Sequence, residues 1–167
     1  MSAATNQQDG PQPRRPPVLL FKVLNPVMRV LLRSPLQGVV SDRLMLMKVT
    51  GRKTGRRYSI PVGYARVGDS LYSGTEGRWA KNLRGGAPVE VLLKGEQRRA
   101  SAELITDVEG MAEAYRTIAA ASPGYANALT RSTGITFGPG GDVSRDEVVR
   151  AKVAGHVVVR TTLDQTG

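Results

Sequence analysis

Between Val49 and Tyr64 the chain reads VTGRKTGRRYSIPVGY, and Arg52, Lys53, Arg56 and Arg57 put four cations into one glycine-bracketed turn. Such a turn can offer backbone N–H groups, the hydroxyls of Thr50 and Thr54 and cationic side chains to an anion, a donor set that suits a phosphate or several carboxylates. The same pattern also fits a hairpin turn whose charges are simply solvated. Other chemistries have little material. The spacing of a P-loop is absent, as is a GxGxxG opening a helix. There is no cysteine, hence no disulfide framework, thiolate metal site or cysteine nucleophile. The single histidine, His156, leaves a His-based metal site or a Ser-His-Asp triad without parts and reads as an ordinary strand residue. Redox chemistry, if the protein performs any, must be borrowed from a cofactor.

Charge is unevenly distributed over the 167 residues. Residues 1–100 hold 18 cations and 6 acids, whereas the remainder hold 6 and 8. The excess favours anionic ligands, nucleic acid or an acidic membrane surface without choosing among them. A nucleic-acid module is disfavoured, because the basic part has no interleaved aromatic platform and no recognition helix.

The elements that must position the turn follow from periodicity. Residues 1–17, rich in proline and lacking aromatic and branched aliphatic side chains, read as a disordered leader. Residues 18–41 read as an amphipathic helical segment, too short and too interrupted by charge to span a bilayer, with Pro26 as a kink. Its polar residues Lys22, Asn25, Arg29 and Arg33 share one stripe, which suits either a helix packed on the domain or one lying on anionic lipid. Residues 42–167 form the domain. Strands are expected over Leu44–Val49, Tyr58–Val67, Ser70–Thr75, Val89–Lys94, Arg98–Ile105 and His156–Leu163, the first five as a meander. Pro61, inside the second strand, marks an edge, a bulge or backbone left free for a ligand. Short helices are expected over Trp79–Arg84, stopped by Gly85-Gly86, and Val108–Ala121, capped by Asp107, with another opened by a Ser144/Glu147 capping box. The fold class is mainly β with peripheral helices, an α+β arrangement built on a small antiparallel barrel.

VTGRKTGRR, then SIPVGYARVGDSLY, then WAKNLRGGAPVEVLL together resemble the deazaflavin-dependent nitroreductase family of actinobacteria, over about residues 44–107. The resemblance implies a split β-barrel of the FMN-binding type and a hydride delivered from reduced coenzyme F-420 rather than from flavin mononucleotide. This coenzyme carries a phosphate and an oligoglutamate tail. Thr50, Arg52, Lys53, Thr54 and Arg56 would meet those charges, Ser59, Ile60, Pro61 and Val62 would lie along the deazaflavin with their backbone, and Trp79 and Asn82 would stand beside it. No metal is implied. SPGYANAL resembles the substrate-side helix and gives Tyr125 as the proton donor, although a partly buried tyrosine on an Ala-rich helix is more often packing. Relatives with nitroreductase or quinone reductase activity have a longer, Gly-rich loop before the tryptophan than Gly74–Arg78, and a further tyrosine after the one matching Tyr125, where this chain has Ala128 and Leu129, followed by TGITFGPGGD.

These departures turn the expectation toward an apolar, quinone-like or lipid-derived acceptor. The rival from another class is a non-catalytic lipid- or fatty-acid-binding member of the same fold. A cytoplasmic protein is expected, peripheral on the inner face of the membrane if Lys22, Arg29 and Arg33 meet anionic lipid. Whether it is a monomer or a homodimer is left open.

Overall fold

A computed structural model of the chain describes residues 44–165. The leader, the amphipathic segment and the stripe of Lys22, Arg29 and Arg33 lie outside the described residues. Seven strands, β1 (Leu44–Thr50), β2 (Arg57–Gly63), β3 (Ala65–Val67), β4 (Ser70–Glu76), β5 (Ala87–Leu93), β6 (Glu96–Ile105) and β7 (His156–Leu163), form one antiparallel sheet. Three α-helices, α1 (Val108–Ala121), α2 (Pro123–Thr133) and α3 (Arg145–Val153), lie between β6 and β7 in the chain. A 3₁₀ helix spans Arg78–Leu83.

The spatial order is β2-β1-β5-β6-β7-β4-β3, so the sheet is not the expected meander: β7 inserts between β6 and β4. The expected single strand Tyr58–Val67 is also corrected. It breaks at Tyr64 into β2 and β3, which stand at opposite edges of the sheet. One residue therefore joins the two edges. That linkage forces the sheet to curl into a barrel, and the absence of pairing between β2 and β3 leaves it split. Pro61 sits on edge strand β2, where a missing N–H costs no ladder bond on the open side.

Alternation along the strands buries a core on each face of the sheet. Met45, Met47, Val62, Leu71, Leu83, Val91 and Val159 fill the barrel, whereas Met111, Tyr115, Ile118, Tyr125, Leu129, Val148 and Val158 pack between the other face and the helices. The neighbours Val158 and Val159 belong to different cores, which is why the first half of β7 reads as an apolar run from Val157 to Val159. Each large apolar side chain buried in this way contributes about 1.5–3 kcal/mol. Tyr115 is fully buried with its hydroxyl unpartnered among the described residues, and burial pushes its pKa up to about 12.

Helix α1 has the expected cap: Asp107 accepts from the Gly110 N–H at 2.6 Å. The capping box expected for α3 does not form. Ser144 makes no side-chain cap bond, and the Glu147 carboxylate reaches away to the Thr136 N–H (2.8 Å) and hydroxyl (2.9 Å). It thereby ties the glycine-rich segment after α2 to α3. The hydrogen bond from the Thr136 amide is the main reason the Glu147 pKa is lowered.

Asp107→Ala should cost about 1 kcal/mol in chemical denaturation. Ser144→Ala should stay within about 0.5 kcal/mol, since no cap bond is lost; equal losses would show that α3 is capped after all. The contribution of the Glu147–Thr136 contact is present above the ordinary glutamate range and is lost as pH falls through the lowered pKa. A declining exchange protection factor at the Thr136 amide in acid should report that loss.

Candidate functional site

The turn from Gly51 to Arg56 is closed by its own backbone: the Gly51 N–H donates to Arg56 O (2.8 Å) and the Gly55 N–H to Gly51 O (2.9 Å), with Gly55 at φ +65°. It leans on the 3₁₀ helix. The Arg52 N–H donates to Asn82 Oδ1 at 3.0 Å, Asn82 Nδ2 donates to Trp79 O at 2.9 Å, and the Arg52 guanidinium reaches Arg84 O at 3.5 Å. Asn82 uses both ends of its amide to fix the turn against the helix.

Three residues per turn divide the 3₁₀ helix into clean rows. Ala80 and Leu83 are buried in the barrel core, Trp79 and Asn82 form a second row, and Arg78, Lys81 and Arg84, just past the helix end, form the third. Between the second and third rows and the turn lies a cleft of about 810 Å³, lined by Gly51, Arg52, Lys53, Thr54, Tyr58, Arg78, Trp79, Lys81, Asn82 and Arg84. Five of these are cations and none is a carboxylate. Tyr58, 41% exposed, offers an aromatic face, and Gly51 lets the turn pass beneath it, since a Cβ there would lie 3.0 Å from the Tyr58 ring.

The structure thus brings Arg52, Lys53, Thr54, Trp79 and Asn82 to one cleft. Thr50 and Arg56 are not in its lining. Alternation turns Thr50 outward after buried Val49, into a separate recess of about 260 Å³ shared with Arg57, Glu90, Arg99 and Asp164. That recess is of mixed charge, and its Lys48 is already bound to Glu90 at 3.1 Å, so it suits an anion less well. The Arg56 N–H folds back on Thr54 Oγ1 at 3.4 Å. Ser59, Ile60, Pro61 and Val62 run along β2, with Val62 in the barrel core and Ile60 packed against it, so what they can present on the open side is backbone.

Sequence reading missed Tyr58, Arg78, Lys81 and Arg84. A signal for the last three was present: cations at every third position flanking a tryptophan are the mark of one face of a 3₁₀ turn.

Tyr125 lies on α2, 8% exposed, over the end of β2. Its hydroxyl accepts from the Gly74 N–H at 3.1 Å and donates to Gly74 O at 3.4 Å. Burial pushes its pKa upward, the Gly74 backbone bond opposes this, and nearby Tyr115 adds to the rise. To serve as a proton donor the hydroxyl would have to leave Gly74. Among the described residues no cluster of His, Asp or Glu could hold a metal, and no helix is long and apolar enough to cross a membrane.

Comparison with curated protein sequences gave no match. Among solved structures the chain is similar to a domain-swapped dimer (16% identity, covering 86% of this chain and 98% of that one, TM-score 0.48). It is also similar to a candidate pyridoxamine 5'-phosphate oxidase from Listeria innocua (12%, 86% and 94%, TM-score 0.46). A third is a candidate 5-nitroimidazole antibiotic resistance protein from Bacteroides thetaiotaomicron (15%, 77% and 78%, TM-score 0.43). At such identities none of their chemistry transfers. The sequence of residues 29–136, by contrast, matches a family model described as F420H(2)-dependent quinone reductase, and this stretch contains the turn, the edge strand and the whole 3₁₀ helix. The protein therefore belongs to the F420H(2)-dependent quinone reductase family, and is an oxidoreductase that uses coenzyme F-420 to reduce quinone-like acceptors.

Proposed function

We propose that the cationic cleft is where this chain holds coenzyme F-420 and that the acceptor reduced beside it is an apolar quinone or a lipid-derived relative of one. The carrying observation is a lining of five cations without a carboxylate, which fits a ligand bearing a phosphate and several glutamates. Arg52 and Lys53 from the turn, with Arg78, Lys81 and Arg84 opposite, would take those charges. The Thr54 hydroxyl can add a neutral hydrogen bond. Tyr58 and Trp79 provide the aromatic surface beside them, and the open backbone edge of β2 over Ser59, Ile60, Pro61 and Val62 leads from the cleft toward Tyr125. Asn82 acts by holding Arg52 in place.

When bound, the coenzyme supplies a hydride, a two-electron donor that asks the protein for placement rather than for a metal or nucleophile. The residues of this chain meet that demand by fixing the two walls of the cleft, and the barrel and helical cores behind them keep those walls rigid. A quinone taking up a hydride also needs a proton, which solvent can deliver to an open cleft.

Arg52→Ala combined with Lys53→Ala should weaken coenzyme F-420 binding about 10- to 100-fold at low salt, as expected for losing two charge-assisted contacts in a partly exposed site. The wild-type affinity should fall with rising ionic strength and the double variant's should fall less steeply, read by titration at several salt concentrations. An unchanged affinity at low salt would return the turn to a merely solvated hairpin. Tight coenzyme binding without turnover on a panel of quinone, enone and nitro acceptors would favour the non-catalytic lipid-binding reading.

We further propose a peripheral contact with the membrane, supported by Lys22, Arg29 and Arg33 sharing one stripe of the sequence. Each cation near an anionic surface is worth about 1 kcal/mol. Replacing all three with Ala should reduce sedimentation with phosphatidylglycerol vesicles by about tenfold or more; equal sedimentation would remove the membrane from the account.

A further inference from the structure

The split in the barrel has a specific cover. Strand β3 pairs with β4 only from Ser70 to Tyr72, so beyond Tyr72 no strand lies along the open side of β4. Gly74 is the place where the next rung of a closed barrel would fall. Its N–H and C=O are met instead by one atom, the Tyr125 hydroxyl, which accepts from the first and donates to the second. Across the gap, the Tyr125 ring lies on Gly63, the last residue of β2, so closely that a Cβ there would come within 2.5 Å of ring atom Cε2. Ring and hydroxyl thus grip the two strands that the missing pairing leaves apart.

Those two strands lead to the two walls of the cleft. Followed back from Gly63, β2 reaches Tyr58 and the cationic turn. Followed forward from Gly74, β4 reaches Glu76 and then the 3₁₀ helix with Arg78, Trp79 and Lys81. Asn82 ties the walls together at the cleft, and Tyr125 is the tie at the seam.

We infer that Tyr125 is a positioning residue: it replaces a strand-pairing rung across the split and so sets the spacing of the two walls that hold the coenzyme, without giving a proton to the acceptor. This rests on the reading of the cleft as the coenzyme site. A phenol employed on both backbone polar groups of one half-buried residue is well suited to fixing a distance and poorly placed to release a proton.

The test measures coenzyme F-420 affinity, and kcat and KM with menadione as a function of pH, in the intact protein. Tyr125→Phe removes the hydroxyl and keeps the ring. It should raise the coenzyme Kd about three- to tenfold, while kcat at saturating coenzyme stays within about twofold and its pH profile keeps its shape. Gly63→Ala, which displaces the ring and leaves the hydroxyl, should weaken coenzyme binding in the same sense. Leu92→Val, in a small cluster with Leu46 that is separate from both the barrel and the helical core, serves as the stability control and should leave Kd unchanged.

A fall in kcat of tenfold or more with an altered pH profile and an unaltered Kd would make Tyr125 the proton donor and overturn the proposal. So would an equal loss of affinity in the Leu92→Val control, which would reduce the effect to general destabilisation. The Arg52/Lys53 double variant separates the two readings: if it binds normally, the cleft is not the coenzyme site, whereas if it binds weakly and Tyr125→Phe binds normally, the tie alone fails.

Discussion

Everything in this structure depends on a single covalent constraint, the one-residue passage through Tyr64 from one edge of the sheet to the other. Because β2 and β3 are consecutive in the chain and yet stand at opposite ends of the strand order, the sheet must curl until its edges nearly meet. It stays split, because β2 and β3 do not pair with each other. The result is a barrel whose interior is packed to exclusion while a run of edge backbone stays available beside it. An open edge is ordinarily a hazard. Here Pro61 on β2 and the helix carrying Tyr125 occupy the places where another strand would otherwise add.

The second constraint is electrostatic. Bringing Arg52 and Lys53 against Arg78, Lys81 and Arg84 gathers like charges without a carboxylate among them, an arrangement that works against stability when nothing anionic is present. The hydrogen bonds through Asn82 hold the turn there regardless. Stability has been exchanged for readiness: the walls are placed before a ligand arrives, so less ordering remains to oppose binding.

Much of this was legible in the residues. The cationic turn, the strand with its internal proline and the WAKNLR segment stood out by type and spacing, and they form one cleft. β7 and α1 fell at their expected bounds because a run of three valines opens the one and the Asp107 cap and an alanine-rich sequence mark the other. What was not legible came from contacts distant in sequence. Nothing near Tyr64 signals that β2 and β3 leave for opposite edges. The Ser144/Glu147 spacing was right for a cap, but Glu147 found a better partner in Thr136, eleven positions earlier. Arg78, Lys81 and Arg84 share a face only at three residues per turn, and a bare expectation of a short helix over Trp79–Arg84 does not specify that period.

That tighter period also makes the segment a reading frame. Ala80 and Leu83 in the core, Trp79 and Asn82 beside the turn, and Arg78, Lys81 and Arg84 on the outer row are separated only by phase. Exchanging one cation for another leaves the phase intact. Gaining or losing one residue just after Gly77 would rotate every later position by a third of a turn, carrying Asn82 in the one case or Lys81 and Arg84 in the other toward the barrel and Leu83 out of it. Evolution along this lineage is therefore free to retune charge in the segment by substitution, and barred from altering its length by single steps.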